Sequence, residues 1–153
     1  TVPREGRLLL AHLALAAGLV ILGVGVALAK VTPVAQSAAE EAAFPLHAVA
    51  WLEAQDPRDR VFNRYEWGGY LIHERPGRLV FIDGRAQDIY PDEVLTLYAN
   101  IISVQIDPGP ELDRYVIDHV IFVPSSPFAA WMDASADWQR AYADSLAVVW
   151  VRR

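Results

Sequence analysis

The sequence predicts an α/β fold: one N-terminal transmembrane helix, then a small, mainly parallel sheet flanked by helices and closed by a C-terminal β-hairpin. Three observations predict it. An apolar run of helical length, residues 8–29, opens the chain. Two short apolar stretches, LVFID at 79–83 and DHVIFVP at 118–124, read as strands buried on both faces. Amphipathic segments of helical period alternate with them, as crossover-connected parallel strands require.

The opening run, LLLAHLALAAGLVILGVGVALA, carries no formal charge beyond the titratable His12. As a helix it is about 33 Å long, enough for a hydrocarbon core of about 30 Å. The expectation is therefore one membrane span. Two other readings compete: a signal peptide, since Ala27-Leu28-Ala29 resembles a cleavage site, and a buried core helix. Signal apolar regions are usually about 7–15 residues long, and 153 residues supply little mass to bury such a helix on all sides. Arg4 and Arg7 precede the run and Lys30 follows it, so the positive-inside rule puts the N-terminal flank in the cytoplasm. The protein then reads as an integral membrane protein with an extracytoplasmic domain. Its expected divisions are 1–30 as helix and flank, 31–43 (VTPVAQSAAEEAA) as linker, and 44–153 as the α/β domain. The first residue is Thr, so the sequence reads as a piece of a longer or processed chain.

Composition narrows the function classes. Residues 31–153 carry 10 basic and 18 acidic side chains, a net charge of −8. That balance gives no electrostatic case for nucleic acid or for an anionic membrane surface. With no cysteine, disulfides and thiolate metal sites are excluded.

Within 44–153 the elements follow in order. FPLHAVAWLEAQDP (44–57) is apolar at 44, 46, 49, 50 and 52, which predicts an amphipathic helix stopped by Asp56-Pro57. RVFN (60–63) is a short strand. YEWGGYLI (65–72) has nearly helical spacing, but two glycines weaken it as a helix. LVFID is a buried parallel strand closed by Gly84. DEVLTLYANIISV (92–104) is a helix with acids in its first turn to complement the dipole. DPGP (107–110) reads as a loop, ELDRY (111–115) as a helical turn, and 118–124 as a strand. Ser126 caps a short helix over 126–135. Asp144-Ser145 joins two strands, 138–144 and 146–153, as a closing hairpin.

In open α/β sheets, ligands gather at the carboxyl ends of the parallel strands. Those ends carry Asn63, then Asp83-Gly84-Arg85 with Asp88, then Pro124-Ser125-Ser126. Asp83 could position a hydroxyl or a cation, and Arg85 could clamp a phosphate through its planar fork. The bland reading is that the two pair with each other, because Asp-Gly at a strand end is common turn chemistry. Tyr65 and Trp67 could stack on a sugar ring if the Gly-Gly turn lifts them to the surface; a packed core is the competing assignment. His12, His47, His73 and His119 show no metal-ligand spacing, and neither a nucleophile elbow nor a glycine-rich phosphate loop is present. No metal and no cofactor is implied.

The segments VFNRYEWGGYLI, PGRLVFIDGRAQDIY and LDRYVIDHVIFVPSSPFAAWM, with the closing WQRAYAD, resemble the C-terminal region of bacterial multi-span membrane proteins. These are described as glycosyltransferase-like or uncharacterised, and are similar to the GT-C class that uses polyprenyl-phosphate-linked sugars. The resemblance covers residues 44–153 and the preceding helix as a last span. It implies a domain that assists binding of a glycan acceptor or lipid-linked sugar donor. The key acids of GT-C enzymes lie in an upstream outer loop that these residues do not include, so it implies no catalysis by this chain alone. A more distant similarity is to the oligosaccharyltransferase catalytic subunit. Aligned on Gly69-Tyr70, Tyr65-Glu66-Trp67 stands where that enzyme has Trp-Trp-Asp, and the loss of the Asp removes its acceptor specificity. A non-catalytic structural or interaction domain of the cell envelope is the alternative.

Overall fold

A computed structural model of the chain describes residues 4–30, 37, 43–55, 60–74, 76–85 and 89–153. The chain divides into two compact units, Thr1–Ala43 and Phe44–Arg153. The linker expected over 31–43 and the Asp56-Pro57 stop lie almost wholly outside the described residues.

In the first unit, α1 (Arg4–Lys30) is a helix rich in Ala, Leu and Val. The expectation of a membrane span over 8–29 is corrected here: among the described residues, no helix is long and apolar enough to cross a membrane. The side chains of residues 12–28 are exposed.

The second unit runs α2 (Leu46–Glu53), β1 (Arg60–Asn63), a 3₁₀ turn (Tyr65–Trp67) leading into α3 (Gly68–Glu74), and β2 (Leu79–Val80). Then come α4 (Asp92–Ile102), α5 (Pro108–Arg114), β3 (His119–Phe122), α6 (Pro127–Ala134), β4 (Trp138–Ala143) and β5 (Val148–Arg152). The strands form one sheet in the order β2-β1-β3-β5-β4. β1 is parallel to β2 (Val61 opposite Val80) and to β3 (Phe62 opposite Val120). β5 is antiparallel to both β3 and β4. The sheet is thus mixed, which corrects the mainly parallel sheet that the sequence predicts. Burial explains the difference. Val148, Val149 and Trp150 are all buried, so β5 takes an inner place, whereas β4 exposes Gln139 and Arg140 and suits an edge. The helix between β3 and β4 returns β4 in the direction of β3, and the tight hairpin then turns β5 antiparallel to both.

Helices cover both faces, because successive strand residues point to opposite sides. Val61, Ile121 and Val149 pack with Ala48, Val49 and Leu52 of α2 and with Trp67 and Leu71. Phe62, Val120, Phe122 and Trp150 pack with Tyr98 and Ile101 of α4, Leu112 of α5, and Phe128 and Met132 of α6. Asp133 of α6 ties its helix to the hairpin, accepting from the Arg140 guanidinium and from Trp150 Nε1 at 2.9 Å.

Local chemistry sets the helix ends. Ser126 Oγ accepts from the Ala129 amide at 3.0 Å, with Pro127 in the first turn of α6. Asp107 does the same for Gly109 at 3.2 Å ahead of Pro108. Hence α5 begins at 108, where the sequence reads as loop. α4 and α5 both close with paired backbone bonds: Gln105 N to Asn100 O and Val104 N to Ile101 O, then Ile117 N to Leu112 O and Val116 N to Asp113 O. This closure needs a left-handed residue, usually glycine. Here Val104 (φ 54°) and Val116 (φ 52°) occupy those positions.

LVFID pairs as a strand only at 79–80. Beyond Val80 the side chain of Asn63, fully buried, joins the β1 backbone, whose Val61 O still accepts from the Phe81 amide at 2.9 Å. Its Nδ2 donates to Ile82 O at 2.8 Å, and its Oδ1 accepts from Phe81 N at 3.0 Å. Gly68 then closes the packing: a Cβ there would overlap the Ile82 carbonyl oxygen and lie 2.7 Å from Asp83 Cα. The Trp-Gly-Gly-Tyr turn is thus the place where α3 rests on the backbone of the 81–83 segment.

Two stability predictions follow from the backbone. Gly68→Ala should lower the unfolding free energy by about 3 kcal/mol or more in a denaturant titration, since backbone must move to admit the methyl; an unchanged midpoint would contradict the close approach. Val116→Gly, at a position 58% exposed, should raise it by up to about 1 kcal/mol by releasing the left-handed strain of a β-branched residue. A lower midpoint for that variant would show the valine to be unstrained.

Candidate functional site

The strand-end groups singled out from the sequence do meet, but chiefly on one another. Asp83 is buried, 1% exposed, at the end of the segment that Asn63 anchors. Its Oδ1 accepts from the Arg85 amide at 2.9 Å and from Arg85 Nε at 2.9 Å. Its Oδ2 accepts from Arg85 Nη2 at 2.8 Å and from the Tyr90 hydroxyl at 2.9 Å. A carboxylate offers about four lone-pair positions, and these bonds use them all. Asp83 therefore has no acceptor capacity left for a substrate hydroxyl or a cation.

The electrostatics agree. The hydrogen bonds from the Arg85 guanidinium, reinforced by the Arg85 amide and Tyr90, hold the Asp83 carboxyl well below the usual range in spite of burial. The same pairing raises Arg85. Burial first, and the bond to Asp83 second, raises the Tyr90 phenol. Arg85 itself remains 64% exposed, with one guanidinium edge turned to Asp83.

The remaining candidates separate. Trp67, 2% exposed, is a core residue beneath α2, with the Arg64 guanidinium 5.4 Å from its ring centre, so it offers no stacking face. Tyr65 is half-buried and packs against the cluster on the other face of the sheet, and its amide donates to Tyr98 Oη at 2.9 Å. The two aromatics do not form one surface. Asp88 lies outside the described residues. Asn63 is committed to the 81–83 backbone and Ser126 to capping α6, so neither is a free rim group. His119 is buried in β3 with Trp51 edge-on at 6.2 Å. Among the described residues, no group of three or more His, Cys, Asp or Glu could hold a metal ion.

A concavity that the sequence did not point to lies beside β2. It has a volume of about 350 Å³, lined by Arg60, Leu79, Phe81, Tyr90, Val94 and Tyr115 among others. Among the described residues, Arg60 is the one charged residue in that lining. Its main-chain N–H donates to Asp118 Oδ2 at 2.8 Å, while its guanidinium reaches Tyr115 O at 3.3 Å. Tyr90 connects the two features, since it lines the cleft and its hydroxyl donates to Asp83. The lining comes from β1, β2, the segment before α4, α4 itself and the turn after α5. No single local motif assembles it: Leu79 and Phe81 belong to the LVFID run and Tyr90 follows Asp88 by two residues, but Arg60, Val94 and Tyr115 come from elsewhere in the chain. A second, more open concavity along α4 is lined by Asp92, Glu93, Thr96, Leu97 and Asn100.

No known protein family, curated protein sequence or solved structure matches this chain.

Removing the Asp83 charge tests the node. A carboxyl whose folded pKa lies below its unfolded value of about 3.9 contributes stability that is complete above that pH and fades as pH falls through and below it. Asp83→Asn should therefore be less stable than the parent chain by about 1–3 kcal/mol at pH 7. The gap should narrow as pH drops below about 4. A gap independent of pH from 7 to 3 would show that the carboxylate charge contributes nothing.

Proposed function

We propose that residues 44–153 form a non-catalytic accessory domain of a bacterial glycosyltransferase-like protein, on the extracytoplasmic side, assisting binding of a glycan acceptor or a polyprenyl-phosphate-linked sugar donor. One observation carries the reading: Arg85 is an exposed guanidinium whose direction is set by a buried, fully bonded carboxylate. A cation fixed in this way loses little side-chain entropy when it meets a phosphate, and its planar fork suits that geometry. The carboxylate behind it has no free lone pair for acid–base work, so binding without turnover is the chemistry that this node supports. The kinship itself rests on the Trp67-Gly68-Gly69-Tyr70 and Phe81-Ile82-Asp83-Gly84-Arg85 segments.

A second reading, a structural or interaction domain of the cell envelope, draws on the burial of Trp67 and the closure of Asp83. Titrating the 153-residue chain with prenyl phosphate and with short glycans separates the two. The accessory-domain reading expects saturable NMR shifts at the Gly84 and Arg85 amides with prenyl phosphate, lost in Arg85→Gln while the spectrum stays folded. A folded chain whose Gly84 and Arg85 amides do not move would leave the structural reading in its place.

A further inference from the structure

We infer that the cleft beside β2 is a binding site for a small amphiphilic organic anion: one apolar ring or short chain carrying a single anionic group. This stands on the cleft's own residues and does not depend on the reading of Arg85. The volume, about 350 Å³, lies at the lower end of the range that holds small molecules, roughly 300–1,000 Å³. Such sites combine apolar walls with a few placed polar groups. Here Phe81, Tyr90 and Tyr115 supply aromatic wall, and Leu79 and Val94 supply aliphatic wall.

Charge selects the sign of the ligand. Among the described residues, Arg60 is the one charged residue in the lining, within a region whose net charge is −8. Among the described residues no carboxylate pairs with its guanidinium. Asp118, the nearest bonded acid, is engaged by the Arg60 main-chain N–H. The Tyr115 carbonyl, a neutral partner, accepts from one guanidinium nitrogen at 3.3 Å and leaves the charge in place. An anion bound there completes an ion pair, and its apolar body leaves water for the aromatic wall.

The walls are held, not loose. Phe81 packs edge-on to Tyr115 with ring centres 5.0 Å apart, and its amide is anchored by both Val61 O and Asn63 Oδ1. Tyr90 is fixed through Asp83. Val116, in its left-handed conformation, turns the chain so that Tyr115 and Ile117 both face the cleft. A cleft with fixed walls binds without paying a large ordering cost.

Phenyl phosphate is the probe, with phenol and inorganic phosphate as controls, added to the 153-residue chain and followed by backbone-amide NMR. The expected result is saturable shifts at Val80, Phe81, Tyr90 and Tyr115 with phenyl phosphate, and binding at least tenfold weaker for each control. Arg60→Met should weaken phenyl phosphate binding roughly tenfold with the spectrum otherwise retained. Val94→Phe, which fills the cleft and leaves Arg60 in place, should abolish it. Equal binding of phenol would overturn the role of charge, and equal binding of inorganic phosphate that of the apolar wall. Shifts confined to Gly84 and Arg85 would overturn the cleft while leaving the accessory-domain reading standing. A folded spectrum with no saturable shift would overturn the inference outright.

Discussion

The side-chain amide of Asn63 is the constraint on which the rest of the 44–153 unit depends. β2 pairs over only two residues, Leu79 and Val80, and sits at the sheet edge. So short a ladder does not by itself hold the chain that follows. Asn63 extends it with a side chain in place of a backbone, donating to Ile82 O and accepting from Phe81 N in a site closed to water. Each such bond contributes about 1 kcal/mol net, but an unsatisfied carbonyl left behind would cost about 1–3 kcal/mol. That asymmetry makes the amide hard to replace. Gly68 depends on the same segment, since α3 can rest on the Ile82–Asp83 backbone only where no Cβ intervenes.

From this anchor the local chemistry follows in sequence. Ile82 fixed in place sets Asp83; Asp83 fixes Arg85 and Tyr90; Tyr90 forms a wall of the cleft. The polar groups at the strand ends are mostly spent on architecture. What they leave available is an exposed, oriented guanidinium at Arg85 and a small aromatic-walled cavity with Arg60 in its lining. Both favour an anion, and both lie in a strongly acidic stretch of chain. That contrast gives a ligand a defined place to go.

The elements whose signals are local were legible in the sequence. The 60–63 strand, the 92–102 helix with its acidic first turn, the Ser126 cap and the Asp144-Ser145 hairpin each depend on neighbours within a few residues. Asp144 even bonds the Leu146 and Ala147 amides at 2.8 Å, as a turn residue should. Where pairing is long-range, the reading failed. LVFID is apolar throughout, yet its regular pairing ends at Val80: the Phe81 amide is shared between Val61 O and the side chain of Asn63, 18 residues earlier, and Ile82 O accepts from that side chain. The hairpin was visible but not which of its strands docks on β3, so the sheet came out mixed. The membrane span was inferred from apolar length alone. For the site, Asp83 and Arg85 read as ligand-binding rim groups, with pairing between them as the competing turn chemistry, and the structure pairs them. Trp67 was offered as a stacking face and lies in the core, because Gly68 draws its helix down onto the strand end. The cleft is not legible in the sequence because its walls come from separate elements that no single motif joins.

The most direct measurement is native-state hydrogen exchange on the 153-residue chain and its Asn63→Ala variant. If Asn63 anchors the 81–85 segment, the variant's Ile82 and Arg85 amides should exchange through local opening, at least a hundredfold faster than in the parent chain. The β3 and β5 amides of Ile121 and Val149 should stay protected to the level of global unfolding. Equal protection of Ile82 and Arg85 in the two proteins would contradict the account, and the order of residues 81–85 would then need another source.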